Sequence, residues 1–311
     1  MDTAYITHTD CALHSGGEQH PECKERLSAI SKHLIAYGFW DSLIHVNARP
    51  ATRPEIVGAH SEQHFEAISE AIPITGLHYI DPDTAVSTGS LKAALRAAGA
   101  LAQAVDLVMD DNQHPSLKRA FCAVRPPGHH AERDRAMGFC LFNNIAVGAR
   151  HALSYPGIER VAIVDFDVHH GNGTENIFAA DPQVLFCSAF QHPYYPFTDL
   201  QNPANNIVHV PLPAGTESVS FRQAIEQGWL PQLRNFRPQI ILISAGFDGS
   251  RHDPLANWLL EAEDYYWVTD QLGQIADEFA ENRMISTLEG GYNLDHLGSC
   301  VAEHLRALVQ Y

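Results

Sequence analysis

Six short apolar runs punctuate the chain: RAFCAV (119–124), RVAIVDFDV (160–168), QVLFCSAF (183–190), NIVHVPL (206–212), PQIILISAG (238–246) and RMISTLEGG (283–291). They are rich in β-branched residues and apolar at consecutive positions, which predicts strands buried on both faces. Around them lie segments 90–111, 143–155, 220–233, 263–281 and 295–308, whose apolar residues recur at helical spacing. Strands alternating with helices predict an α/β fold, a mostly parallel central sheet flanked by helices on both faces. No internal repeat or low-complexity linker interrupts the pattern, so a single domain is expected over 1–311. The Pro/Asn/Asp-rich stretch 191–206 is read as a long loop, and such loops inside a domain usually carry function.

Composition narrows the partners. A formal charge of −17, from 37 acidic and 20 basic residues with no basic cluster, argues against direct nucleic-acid binding and favours attraction of cationic substrates. The N-terminus lacks a basic region followed by an apolar core, and no run is long enough to span a bilayer, so no membrane association and a cytoplasmic location are expected. The six cysteines include no C-x-x-C pair, which points to buried thiols rather than disulfides or a zinc knuckle. The sequence specifies no oligomeric state.

In such a sheet, ligands bind beyond the C-terminal strand ends. RPPGHH follows the run at 119–124, DVHHGNGT the run at 160, AGFDGSRHDP the run at 238, and EGGYN the run at 283. Asp167 and His169, two apart, are expected to point to one side and to meet Asp248 from the neighbouring strand end. Two carboxylates and a neutral imidazole suit zinc and leave a coordination position open, the catalytic kind of site. Individually these residues have ordinary readings. A lone Asp at a strand end is a turn residue, His169-His170 is as readily one core and one surface imidazole, and Gly-Gly-Tyr is a loop with a packed aromatic. Their joint occurrence is what points to chemistry. Of the adjacent histidines His129 and His130, one can move protons while the other stays charged, and Tyr292 can donate to a developing oxyanion.

The motifs HPE (20–22), YIDPDT (79–84), RPPGHH, GFCLFNN (138–144), DFDVHHGNGT (165–174), SAGFDGSRHDPL (244–255) and LEGGYN (288–293) resemble those of the zinc-dependent histone deacetylases. That family includes bacterial acetylpolyamine amidohydrolases and acetoin-utilisation proteins, and the likeness covers nearly the whole chain. It implies the arginase/deacetylase-like fold, zinc (Zn2+) at Asp167, His169 and Asp248, and a general base and acid at His130. It further implies an electrostatic partner at His129 held by Asp165, an oxyanion donor at Tyr292, and Asn172 behind His130, as in the class II branch. A potassium ion (K+) is implied at Asp165 and the Ser188 hydroxyl, with backbone oxygens around Asp167 and His169. The substrate tunnel would have Phe139, preceded by Gly138, as one wall and Tyr195 as the other. Phe197 and Asp199 depart from the family's glycines in that loop.

The function implied is a deacylase that hydrolyses acyl-lysine side chains of a protein or peptide. The rival substrate is a small acetylated amine, chiefly an acetylpolyamine. Leu255 occupies the position where polyamine-selective relatives carry an acidic residue, which favours acyl-lysine, although Asp199 and Asp253 offer charge from elsewhere. A silent acyl-lysine-binding module is opposed by the intact constellation, and a small-molecule amidase or esterase is a further alternative.

Overall fold

The apolar runs form the centre of an eight-stranded, wholly parallel sheet in a computed structural model of the chain. Residues 2–310 are described apart from 111 and 202, so the last residue of the expected helix 90–111, position 202 of the long loop and both ends of the expected 1–311 domain lie outside the described residues. The strands are β1 (Asp2–Thr7), β2 (Ile44–Asn47), β3 (Leu77–Asp81), β4 (Thr84–Ser87), β5 (Leu117–Cys122), β6 (Val161–Asp165), β7 (Val184–Gln191), β8 (Ile207–Leu212), β9 (Ile240–Ala245) and β10 (Met284–Leu288). The helices are α1 (Glu25–Ala36), α2 (Arg53–Ala59), α3 (Glu62–Glu70), α4 (Ser90–Met109), α5 (Asn144–Leu153), α6 (Asn172–Phe178), α7 (Ser218–Gly228), α8 (Leu230–Phe236), α9 (Ala262–Phe279) and α10 (Leu297–Val309). The sheet runs β2-β1-β5-β10-β9-β6-β7-β8, with β3 and β4 a separate antiparallel ribbon.

Consecutive apolar residues are needed because each face of the sheet meets its own core. Along β9, Ile240 and Leu242 enter the core beneath α4 and α5, while Ile241, Ile243 and Ala245 enter the core under α1, α9 and α10. Alternation has period two, so a strand covered on both sides is apolar at consecutive positions, and along β6 and β9 the polar residues, Asp165 and Ser244, come only at the C-terminal end. No helix among the described residues is long and apolar enough to cross a membrane, and the six cysteines are free.

Three expectations are corrected. The helix expected at 220–233 is two helices broken at Trp229, because Pro231 in the first turn of α8 has no N–H for a continuing helix. β6 stops at Asp165 and β10 at Leu288, so Asp167, His169 and Tyr292 lie in the loops beyond the strands. The sequence reading missed β1, the edge strand β2, the β3–β4 ribbon, helices α1 to α3 and the short α6.

Register sets the rim. Asp165 lies level with Ser188 of β7 and Ser244 of β9; β6 ends there and β9 one residue later, whereas β7 runs on to Gln191. The RPPGHH loop after β5 is anchored from below: the Arg125 guanidinium pairs with the Glu22 carboxylate, with one contact from NH2 to Oε2 at 2.5 Å. Glu22 also meets Arg26 at 3.3 Å, and all three side chains are wholly buried. Burial alone would raise the Glu22 carboxyl, but Arg125 and the other nearby cationic groups outweigh it and hold it down at about 2.

Removing Glu22 leaves two buried guanidinium groups uncompensated. Glu22→Ala should therefore lower unfolding free energy by about 3–5 kcal/mol at neutral pH in urea titrations. The depressed carboxyl contributes fully above the ordinary glutamate value of about 4.3 and loses its contribution as pH falls toward about 2. The gap between wild type and variant should shrink over that window. A gap independent of pH down to 2 would show that Glu22 acts without its charge.

Candidate active site

The loop after β6 folds back on itself. His169 donates its backbone N–H to Asp167 Oδ1 at 2.9 Å, and its Nδ1 lies 3.1 Å from the same oxygen and 3.0 Å from Asp248 Oδ2. The two residues thus converge through a turn and not through the strand alternation expected from their spacing. Asp248 arrives from the loop after β9 and accepts the Val168 N–H at 3.1 Å. One ligand atom from each of Asp167, His169 and Asp248 lies within 4.8 Å of the others. A mixed oxygen and nitrogen donor set that converges in this way fits a zinc-sized divalent cation.

The electrostatics favour a cation as well. Asp165, Asp167, Asp248 and Glu289 are essentially without solvent exposure. Burial and the neighbouring Asp167 charge push Asp248 up, whereas His129 and His169 pull Asp167 far down. Without a metal, His169 stands between two carboxylates that overcome its burial and hold its imidazole up at about 10, so a bound cation would take the place of that proton. The carboxylates reach this closeness because the backbone makes room. A Cβ at Gly290 would stand 2.1 Å from Asp248 Oδ2, and the Gly290 N–H instead donates to Asp167 Oδ2 at 2.8 Å.

The histidine pair divides by what lies behind each ring. His129 Nδ1 is 2.9 Å from Asp165 Oδ2; despite burial, the Asp165 and Asp167 carboxylates hold this imidazole charged, up at about 10. His130 Nδ1 is 2.7 Å from Asn172 Oδ1, an amide with no charge to offer. Burial and the charged His129, whose ring is 4.0 Å away, push His130 well below the usual range, so it stays neutral. A neutral and a charged imidazole sit side by side.

His130 and His169 open onto a cavity of about 170 Å³, lined also by Asp83, Gly138, Phe139, Tyr194, Tyr195, Leu255 and Tyr292. Phe139 and Tyr292 meet edge to face at 5.9 Å, Tyr195 stands edge-on to His130 at 5.2 Å, and Tyr194 stacks on His169 at 5.7 Å. Burial raises the Tyr292 hydroxyl well above its ordinary value, so it remains a donor. Phe139 adopts a left-handed φ of 68°, which a bulky residue takes only when held. The β3–β4 turn holds it: Thr84 Oγ1 accepts the Phe139 N–H at 3.0 Å, and Asp83 Oδ1 accepts that of Gly138 at 3.1 Å.

Other expectations fall differently. Asp253 is no source of charge for a substrate; it is buried, pushed up to about 7 by desolvation and Asp248, and its carboxylate accepts the backbone N–H groups of Leu255, Tyr292 and Asn293. Asp199 is exposed and outside the cavity lining, as is Phe197. His170 is neither an isolated core imidazole nor a surface one: it is 1% exposed and bonded to Ser188 Oγ at 2.9 Å and Glu175 Oε2 at 2.7 Å. Glu175 also meets His209 at 2.6 Å. The sequence reading missed Glu289, whose carboxylate accepts the N–H groups of Gly128 and His129, although it stands in a motif already singled out; the acidic YIDPDT motif supplies Asp83 to the cavity lining.

Residues 20–308 match the histone deacetylase domain. The chain belongs to the histone deacetylase family. It is 38% identical over 312 residues to an uncharacterised protein of Synechocystis, covering 98% of this chain and 99% of that one. It is 36% identical over 329 residues to histone deacetylase 14, chloroplastic, of Arabidopsis thaliana, covering 99% and 77%. The crystal structure of the HDA15 HD domain superposes with a TM-score of 0.91 at 34% identity, covering 99% of this chain and 89% of that one.

Membership in the histone deacetylase family makes the chain a deacetylase-type amidohydrolase, with a fold that matches a family structure throughout. In this member Gly138 has φ +57°, and a Cβ there would stand 2.4 Å from His130 Cδ2. Gly138→Ala should displace that imidazole and lower kcat on an acetylated peptide by about 10²-fold, the scale of an ångström-sized misplacement, with bound metal retained. An unchanged kcat would show that Gly138 does not set the place of His130.

Proposed function

We propose that the protein is a zinc-dependent deacylase acting on acyl-lysine side chains of proteins or peptides. The observation that carries this reading is one aromatic-walled cavity lined by the neutral His130, the protonated Tyr292 and His169, through which it reaches the Asp167-His169-Asp248 cluster. Phe139, Tyr194 and Tyr195 form walls suited to a methylene stem, which presents the amide to the polar groups.

Asp167, His169 and Asp248 would hold the zinc, which would act as a Lewis acid toward the amide carbonyl and toward water. His130, with Nδ1 turned to Asn172, has Nε2 available to take a proton from the attacking water and return it to the leaving nitrogen. Tyr292 donates a hydrogen bond to the carbonyl oxygen as its charge grows. His129 stays charged against Asp165 and balances that developing negative charge. Asp165 and Ser188, with backbone oxygens near Asp167 and His169, are the proposed potassium ligands, and Ser188 is also engaged by His170.

Chelation should abolish hydrolysis, and added zinc or cobalt should restore it. Asp248→Ala should lose about one equivalent of metal per chain and all turnover, measured by metal analysis and a peptide assay. Full occupancy and turnover in that variant would refute the ligand assignment.

A second reading, acetylpolyamine hydrolysis, is favoured by Asp83, a carboxylate at the cavity. Against it, Asp83 Oδ1 is already engaged by Gly138 and Thr84, and Leu255 is apolar. Wild type should show higher kcat/KM on an acetyl-lysine peptide than on acetylspermidine. Leu255→Glu should move the ratio toward the polyamine by about 1–3 kcal/mol. A wild-type preference for acetylspermidine would overturn the acyl-lysine reading.

A further inference from the structure

The Asn172 amide has two ends, and His130 meets only one of them. Oδ1 faces His130 Nδ1 at 2.7 Å, while Nδ2 donates to Glu132 Oε1 at 2.8 Å and to Met137 Sδ at 3.4 Å. An amide turned by half a revolution fills the same volume but presents its NH2 to His130. The ring would then accept at Nδ1 and carry its own proton on Nε2, because a neutral imidazole has one donor and one acceptor. Such a ring has no lone pair left for the attacking water.

Nothing in Asn172 itself selects between these orientations. Glu132 does: an ionised carboxylate only accepts, so it demands the NH2 end of the amide, and the thioether of Met137 is likewise an acceptor. Glu132 is in turn held by its backbone, which donates to the Arg135 carbonyl at 2.9 Å and accepts from His60 Nδ1 at 2.9 Å. Its side chain and Asn172 both line a polar groove, separate from the aromatic cavity, with Arg135 and Glu175.

We propose that Glu132 is a positioning residue which, by fixing the orientation of the Asn172 amide, sets His130 in the tautomer that bears its proton on Nδ1. The inference rests on the proposed role of His130 as the base. Glu132 lies outside both the lining of the aromatic cavity and the metal cluster; its side chain accepts from Asn172.

Glu132→Gln keeps the size of the side chain but offers an oxygen or an NH2, so both orientations of Asn172 become acceptable. Nitrogen-15 NMR of histidine-labelled protein should show His130 protonated on Nδ1 in the wild type and divided between Nδ1 and Nε2 in the variant. In the same variant kcat should fall about tenfold, with KM and bound metal unchanged, the scale of one hydrogen-bond preference. Asn172→Asp removes the need for orientation, since both of its oxygens accept. In that background Glu132→Gln should raise kcat by relieving the contact of two carboxylates.

A His130 tautomer unaltered by Glu132→Gln, or an equal loss of kcat in both backgrounds, would overturn the proposal and leave Glu132 a loop support. The tautomer is read without turnover. If the protein hydrolyses no acyl-lysine substrate, the proposed function fails while the NMR result still decides the role of Glu132.

Discussion

Four carboxylates with almost no access to water, Asp165, Asp167, Asp248 and Glu289, are the constraint around which this molecule is arranged. Taking such groups out of water costs several kcal/mol each unless they are compensated. The compensation is spread over the fold: backbone N–H groups of Gly128, His129, Asp167, Val168, His169 and Gly290 point at them, and the two imidazoles His129 and His169 lie among them. The neighbouring parallel strands β6, β9 and β10, which end nearly level, make this possible, because the loops beyond them deliver donors to one place. The remaining imbalance is negative, the state in which a cluster takes up a cation.

The same charge distribution separates two chemically identical side chains. His129 and His130 are neighbours in sequence and in space, yet the Asp165 and Asp167 carboxylates hold the first charged against its burial, while burial and that neighbouring charge keep the second neutral. Environments that push paired groups apart are how one site supplies both acid and base at one pH. Asn172 keeps His130 oriented without lending it charge.

Much of this was legible in the residues. Runs such as IILI (240–243) and VAIV (161–164) are apolar at every position, which only a doubly covered strand requires, so the layered α/β architecture followed from pattern alone. The histidines, aspartates and Tyr292 stood next to glycines after those runs and do meet at one rim. The supports were not legible. Glu22, Asp253 and Glu289 act through backbone groups or residues far away in sequence, and a carboxylate gives no sign in a one-dimensional string of whether it faces water or a buried N–H. The break at Trp229 was missed because apolar spacing runs on across Pro231, although the backbone does not.

The wall formed by Phe139 follows His130 in the same loop, yet part of what fastens it lies elsewhere in the molecule. Its left-handed backbone is fastened by Asp83 and Thr84 of a two-stranded ribbon that is not hydrogen-bonded into the main sheet, whereas the ionisable groups hang from the ends of that sheet. One rim of the recess is therefore set from outside the sheet that carries the carboxylates. Sequence drift in the ribbon can retune which guests fit while the strand ends keep their chemistry intact.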